Sequence, residues 1–333
     1  MTSPYVRASA CIVGMGRRIH RYVWSAEGSA GPGGNAMRSC FGQNGVVGKG
    51  CYGAVMPLAR SVLIPDGGEA RAYVLFLHGI LGTGGNLRTL ARRALEGTGL
   101  GAILVDLRMH GRSQGFDAPH TVARAAADLD EISRELPVSA VVGHSFGGKV
   151  ALSFLDRGGG AAPRQVVLLD SSPGKGHLPR GPDGTAGILE ALTALPASLP
   201  SREAFLQHLV NGGVAAPVAA WLAMNLVRGG EGFRFSLDLT AIRALIEDYF
   251  AIDLWPLVED PPPGSEITVV AGGRSDALSA EDQSRVRAAD ARTGGRTRLR
   301  VLPGAGHWVH VDDPDGVVAI LREALGPLGA GIG

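Results

Sequence analysis

The chain has 333 residues, 45% of them hydrophobic, which is enough for one large α/β domain carrying an insertion or for two small domains. Its 32 Lys and Arg stand against 31 Asp and Glu, so no global field points to nucleic acid or an anionic membrane, and no nucleic-acid motif is present. The longest apolar runs, such as Tyr73 to Leu77, are strand-length and fall well short of the roughly 20 residues a membrane span needs. All three cysteines, Cys11, Cys40 and Cys51, precede residue 52, which excludes a disulfide framework or a C-x-x-C metal site for the rest and points to a reducing compartment.

Residues 1–53 read as an N-terminal extension. Arg7, Arg17, Arg18, Arg21 and Arg38 face a single acid, Glu27, among many Ser, Ala and Gly. That is the composition of an organelle transit peptide; a disordered extension or a mis-assigned start fits it equally. No apolar h-region follows the arginines, so it does not read as a secretory signal.

Residues 54–333 read as one domain in which strands alternate with helices. Expected strands are Ser61–Ile64, Tyr73–Leu77, Ala102–Val105, Gln165–Leu169, Ile267–Ala271 and Arg298–Leu302, with another entering Gly143 through Val141 and Val142. Helical patterns lie over Leu87–Leu95, Thr121–Leu136, Ala280–Ala291 and Pro314–Leu325. This alternation implies a mostly parallel central sheet covered by helices on both faces. It stops between about residues 171 and 259, where helical segments (Ile188–Leu195, Arg202–Val210, Val214–Val227, Leu239–Phe250) and no strand are expected. That stretch reads as an inserted helical cap, and Pro261-Pro262-Pro263-Gly264 marks the return to the sheet.

Gly143-His144-Ser145-Phe146-Gly147 stands between a strand and a helix, the context of a nucleophile elbow. So tight a turn crowds the residues two before and two after the serine, which Gly143 and Gly147 relieve. Phe146, opening the helix, can offer its backbone N–H to an oxyanion. A base for Ser145 is found in His307, which follows the last strand behind the flexible Gly304-Ala305-Gly306; His310 is its rival. The orienting acid has two candidates. Asp276 follows strand Ile267–Ala271 and Asp170 ends strand Gln165–Leu169; Asp276 is preferred because it fits the general order Ser, Asp, His.

His78-Gly79-Ile80-Leu81-Gly82, Asp106-x-Arg108-x-His110-Gly111-x-Ser113, the elbow with Gly148-Lys149, Asp170-Ser171-Ser172-Pro173 and Ala305-Gly306-His307-Trp308-Val309-His310 follow one another in order. In this ordered set the chain resembles the α/β-hydrolases, and more narrowly the α/β-hydrolase domain-containing esterases that include a mitochondrial animal branch and small bacterial acyl esterases. The resemblance implies an α/β-hydrolase fold, an oxyanion hole made by the backbone N–H groups of Ile80 and Phe146, and a mitochondrial location, with the cytoplasm as the alternative. Some of these esterases use the position of Asp170 as the triad acid. Histidines 78, 110 and 144 are expected to support motif loops by hydrogen bonding.

The expected reaction is acyl transfer from a small-molecule ester or thioester through an acyl-enzyme on Ser145, with no metal and no cofactor. The alternatives are a carbon–carbon bond hydrolase, a cofactor-free haloperoxidase, or a non-catalytic ligand receptor on the same fold. Nothing in the sequence sets the oligomeric state.

Overall fold

The computed structural model describes residues 10–14, 19–23, 57–65, 68–158, 162–179, 184–230 and 232–330. The chain divides into two compact units, Met1–Ala54 and Val55–Gly333. In the first, β1 (Ala10–Gly14) and β2 (Ile19–Val23) pair antiparallel, with Ala10 opposite Val23 and Gly14 opposite Ile19. Most of the stretch read as a transit peptide or disordered extension lies outside the described residues.

The second unit is built on a seven-stranded sheet. Its strands are β3 (Arg60–Leu63), β4 (Tyr73–Leu77), β5 (Gly101–Val105), β6 (Val138–His144), β7 (Gln165–Leu169), β10 (Glu266–Gly272) and β11 (Thr297–Leu302). Across the sheet the order is β11-β10-β7-β6-β4-β5-β3, and only the edge strand β3 runs antiparallel to its neighbour. The inner strands are apolar on both faces because both are covered. Side chains alternate across the pleat. Leu75, Leu77, Ile103 and Val141 join one core with Val150, Leu155 and Val286, while Val74, Phe76, Leu104 and Val142 join the other with Leu90, Leu321 and Leu325. Among the described residues no helix is long and apolar enough to cross a membrane.

The chain moves outward from β4 to β5, then returns to the other side of β4 and proceeds through β6, β7, β10 and β11. Such a reversal opens a crevice beyond the carboxyl ends of the strands, where ligands bind in open α/β sheets. The motifs named above lie at the carboxyl ends of β4, β5, β6, β7 and β11 and in the segments that follow them, at that edge.

Two expected elements are corrected. The single helix Thr121–Leu136 is two, Val122–Ala127 and Asp130–Glu135, broken where Asp128 turns its carboxylate onto the buried Arg108 guanidinium at 2.7 Å. The cap also contains strands. Its helix Ala216–Leu222 gives way to a short 3-10 turn, Ala223–Asn225, and then to β8 (Leu226–Gly229) paired antiparallel with β9 (Gly232–Phe235). Gly232 has φ +149°, and a Cβ there would stand 2.3 Å from the Leu199 carbonyl oxygen, so only glycine fits this hairpin, whose first strand takes up Leu226 and Val227 from the end of the helix expected over Val214–Val227.

Candidate active site

Ser145 lies between β6 and the helix Phe146–Asp156 with φ 52° and ψ −116°, a sparsely populated backbone state held by its surroundings. The glycines make that state possible. A Cβ on Gly143 would sit 2.1 Å from the Gly147 carbonyl oxygen, and one on Gly147 would sit 2.4 Å from that of Leu77. The Ser145 N–H donates to the Leu169 carbonyl at 3.0 Å, pinning the turn to the neighbouring strand.

His307 stands in the loop between β11 and the short helix Val309–Asp312. Its Nε2 is 3.1 Å from Ser145 Oγ and its Nδ1 is 2.7 Å from Asp170 Oδ2. His310 does not reach Ser145: its ring packs edge-on against His144 at 4.6 Å, and its Nδ1 has no hydrogen-bond partner among the described residues. His144 donates from Nε2 to the His307 carbonyl at 3.0 Å, bracing the loop that carries the histidine. Burial holds His144 well below the ordinary imidazole range, with the neighbouring His310 and His307 adding to the effect.

The preferred acid of the sequence reading, Asp276, is not the carboxylate on His307. It is exposed in the bend after β10, and no hydrogen bond joins it to any described residue. Asp170 is fully buried at the end of β7. The strand order supplies the reason: β7 lies directly beside the elbow strand β6, and β10 lies one strand further out. The loop after β10 holds Asp170 instead of replacing it, through the Gly272 N–H on Oδ1 at 2.9 Å and the Ser275 hydroxyl on Oδ2.

Ile80 sits half-buried in the loop after β4, and Phe146 is buried at the first position of the elbow helix. Neither backbone N–H has an acceptor among the described residues. The loop around Ile80 is braced by two buried imidazoles in one fixed tautomer. His78 accepts the Leu107 N–H at Nε2 (3.0 Å) and donates from Nδ1 to the Gly79 carbonyl (2.8 Å). His110 accepts the Leu81 N–H at Nε2 (3.0 Å) and donates from Nδ1 to the Arg108 carbonyl (2.9 Å). Asp106 completes the frame by accepting the Gly84 and Arg112 N–H groups.

Burial lowers His78 to about 4 and His110, with His78 beside it, to about 3, both from an ordinary 6.5. The unfolded chain therefore binds more protons than the fold between about pH 4 and 6.5, and stability rises with pH across that window. The stabilisation is complete above pH 6.5 and is lost progressively on acidification, by on the order of a few kcal/mol near pH 4. Thermal melts between pH 7 and 4 should show a steadily falling midpoint; a flat profile would contradict the neutral, braced imidazoles.

The cap closes over this edge through contacts that the sequence did not signal. Asn225 donates to the Leu81 carbonyl at 2.8 Å, and the Met224 sulfur lies 3.5 Å from Asn86 Nδ2. Trp221 packs against Trp308, next to His307, with ring centroids 5.6 Å apart. The buried Lys149 ammonium donates to the carbonyls of Gly174 (2.6 Å), Ile252 (3.2 Å) and Tyr249. Of the cap's apolar residues, Leu209, Leu222 and Leu245 are core packing, whereas Trp221 and Met224 stay partly exposed beside the site. Among the described residues no group of three or more His, Cys, Asp and Glu side chains could hold a metal ion.

The pattern of the alpha/beta hydrolase family matches residues 74–320, nearly the whole second unit. The chain belongs to this family. Within it, the chain is 32% identical over 275 residues to "Lipase LipV" of Mycobacterium tuberculosis, covering 78% of this chain and 96% of the relative. It is 28% identical to the mouse "sn-1-specific diacylglycerol lipase ABHD11" (78% and 82% covered) and 27% identical to "Esterase YbfF" of Escherichia coli (76% and 92%). A solved structure titled "Marine microorganism esterase" superposes with a TM-score of 0.68 at 24% identity, covering 81% of this chain and all of that one, and supports the family's fold.

Proposed function

We propose that this chain is a serine hydrolase that cleaves carboxylic esters through an acyl-enzyme on Ser145, with His307 as general base and Asp170 as its orienting acid. The observation that carries the reading is the unbroken line of hydrogen bonds from Asp170 through His307 to Ser145, at 2.7 and 3.1 Å. Asp170 fixes the proton on Nδ1, so the lone pair of Nε2 faces the serine hydroxyl. Ser145 Oγ attacks the ester carbonyl as its proton passes to Nε2, and the Ile80 and Phe146 N–H groups receive the developing oxyanion. The imidazolium then protonates the departing alcohol. Water, deprotonated by the same nitrogen, releases the acid and restores the serine.

Relatives named esterase or lipase support ester substrates. Trp221, Trp308 and Met224 give the entrance an apolar wall suited to an acyl chain. Thioesters would react by the same steps, since a thiolate leaves more readily than an alkoxide.

The test is hydrolysis of p-nitrophenyl esters from acetate to palmitate by the wild type and by Ser145→Ala. Turnover by the wild type and a loss of at least about 10⁴-fold in the variant are expected. A wild type inert across the series that also fails to react with a fluorophosphonate probe would sink the reading.

A further inference from the structure

Building on the serine-hydrolase reading, we infer that Ser171 is a positioning residue for the oxyanion hole, aligning the Phe146 N–H by holding the other end of the same peptide unit. The Ser145 carbonyl and the Phe146 N–H belong to one planar group and point in opposite directions, so what fixes one fixes the other. That carbonyl accepts two hydrogen bonds. One comes from the Gly148 N–H at 2.9 Å, within the first turn of the elbow helix. The other comes from the Ser171 hydroxyl at 2.7 Å, across from the end of the neighbouring strand.

The peptide follows a residue at φ +52°, ψ −116°, which does not hold itself in place; a second, non-local donor supplies the constraint that a strained turn requires. Donation to the carbonyl also polarises the amide, so its N–H becomes a better donor to a developing oxyanion.

The surroundings are shaped for this contact. Ser171 is buried, 1% exposed, and immediately follows Asp170. One strand end thus holds the base through Asp170 and the oxyanion donor through Ser171. A Cβ on Gly148 would stand 2.5 Å from Ser171 Cβ. Glycine inside a helix costs roughly 0.5–1 kcal/mol relative to alanine, and here it leaves the space in which Ser171 sits. The cap reaches the same region: the half-buried Tyr249 ring has its centroid 6.2 Å from that of Phe146.

The experiment compares wild type, Ser145→Ala, Ser171→Ala and Ser171→Cys, each as the full chain, in ester turnover and in binding of a trifluoromethyl ketone. The ketone adds Ser145 Oγ at its carbonyl carbon and leaves the oxygen as an anion in the same hole. In Ser171→Ala, kcat should fall about 10-fold, a fraction of the 10²–10³ lost when a donor is removed outright. KM should stay within about two-fold, and ketone affinity should weaken in step with kcat. Ser171→Cys, with its weak S–H donor, should lie between the two, and it carries the comparison if the alanine variant does not fold. Either kcat and ketone affinity within two-fold of wild type, or a loss shared with KM and melting temperature, would overturn the inference. Failure of the hydrolase reading itself appears earlier and separately, as an inert wild type or an active Ser145→Ala, and takes the inference with it.

Discussion

Asp170→Asn should lower kcat by about 10³–10⁴-fold, whereas Asp276→Asn should stay within about three-fold of wild type. The hydrogen bonds around Asp170 explain why so small a change is so costly. Oδ1 receives the Gly272 N–H, so an asparagine must turn its carbonyl oxygen that way and its NH2 toward His307. The imidazole would then have to accept at Nδ1 and carry its proton on Nε2, facing Ser145, where it could take no proton from the hydroxyl. Substrate binding should change little, since the defect is a tautomer and not a lost contact. Asp276, exposed beyond β10, has no such connection to lose. Steady-state kinetics on a p-nitrophenyl ester, with melting temperatures as a control, decide the matter; if Asp276→Asn is the more damaged variant, the assignment of Asp170 is wrong.

The largest stability effect is expected at Lys149. Its ammonium is buried beside the elbow helix, with Nζ 4.3 Å from the centroid of the Tyr249 ring, and it donates to three carbonyls of the cap and its approaches. Burial lowers its pKa to about 8, so it remains largely cationic at pH 7, where hydrogen bonds from a charged donor are strong. Methionine matches the length and apolar stem but leaves those carbonyls without their donor. At roughly 1–3 kcal/mol for each unsatisfied buried group, Lys149→Met should cost about 3 kcal/mol or more. For a domain of this size that corresponds to a fall of roughly 6–12 °C in melting temperature. Because the carbonyls belong to Gly174, Tyr249 and Ile252, KM for long-chain esters should rise as the cap loosens. Arginine should not restore either property, since its planar fork cannot converge on three carbonyls as an ammonium does. A melting temperature within about 2 °C of wild type would show that the cap is anchored elsewhere.

The local features of this protein were legible in its residues. Unbroken apolar runs such as Tyr73–Leu77 and Gln165–Leu169 marked strands buried on both faces, and they are. Gly143 and Gly147 announced a turn too tight for side chains, and the contacts at those positions are backbone atoms under 3 Å away. Such features depend on neighbours a few positions apart, so spacing alone reveals them.

What joins distant residues was not legible. Asp170 and Asp276 each follow a strand, and chain order favoured the second; only the strand order, with β7 beside β6, puts the first against His307. The cap hairpin lay hidden because its strands are short and Leu226 and Val227 read as the end of the helix Val214–Val227, until β9 pairs with β8 and Phe233 bonds to Leu199. Ser171 and Asn225 carry no signature of their own, since a serine or an asparagine becomes a brace only when the fold brings a carbonyl to it. The sequence by itself determined the strands, the strained turn and the pairing of Ser145 with His307 as candidates, because local sterics, periodicity and motif spacing are read from nearby residues. The tertiary structure decided which carboxylate stands against His307, the hairpin in the cap and what holds the Ser145–Phe146 peptide, because those depend on which strand ends become neighbours in space.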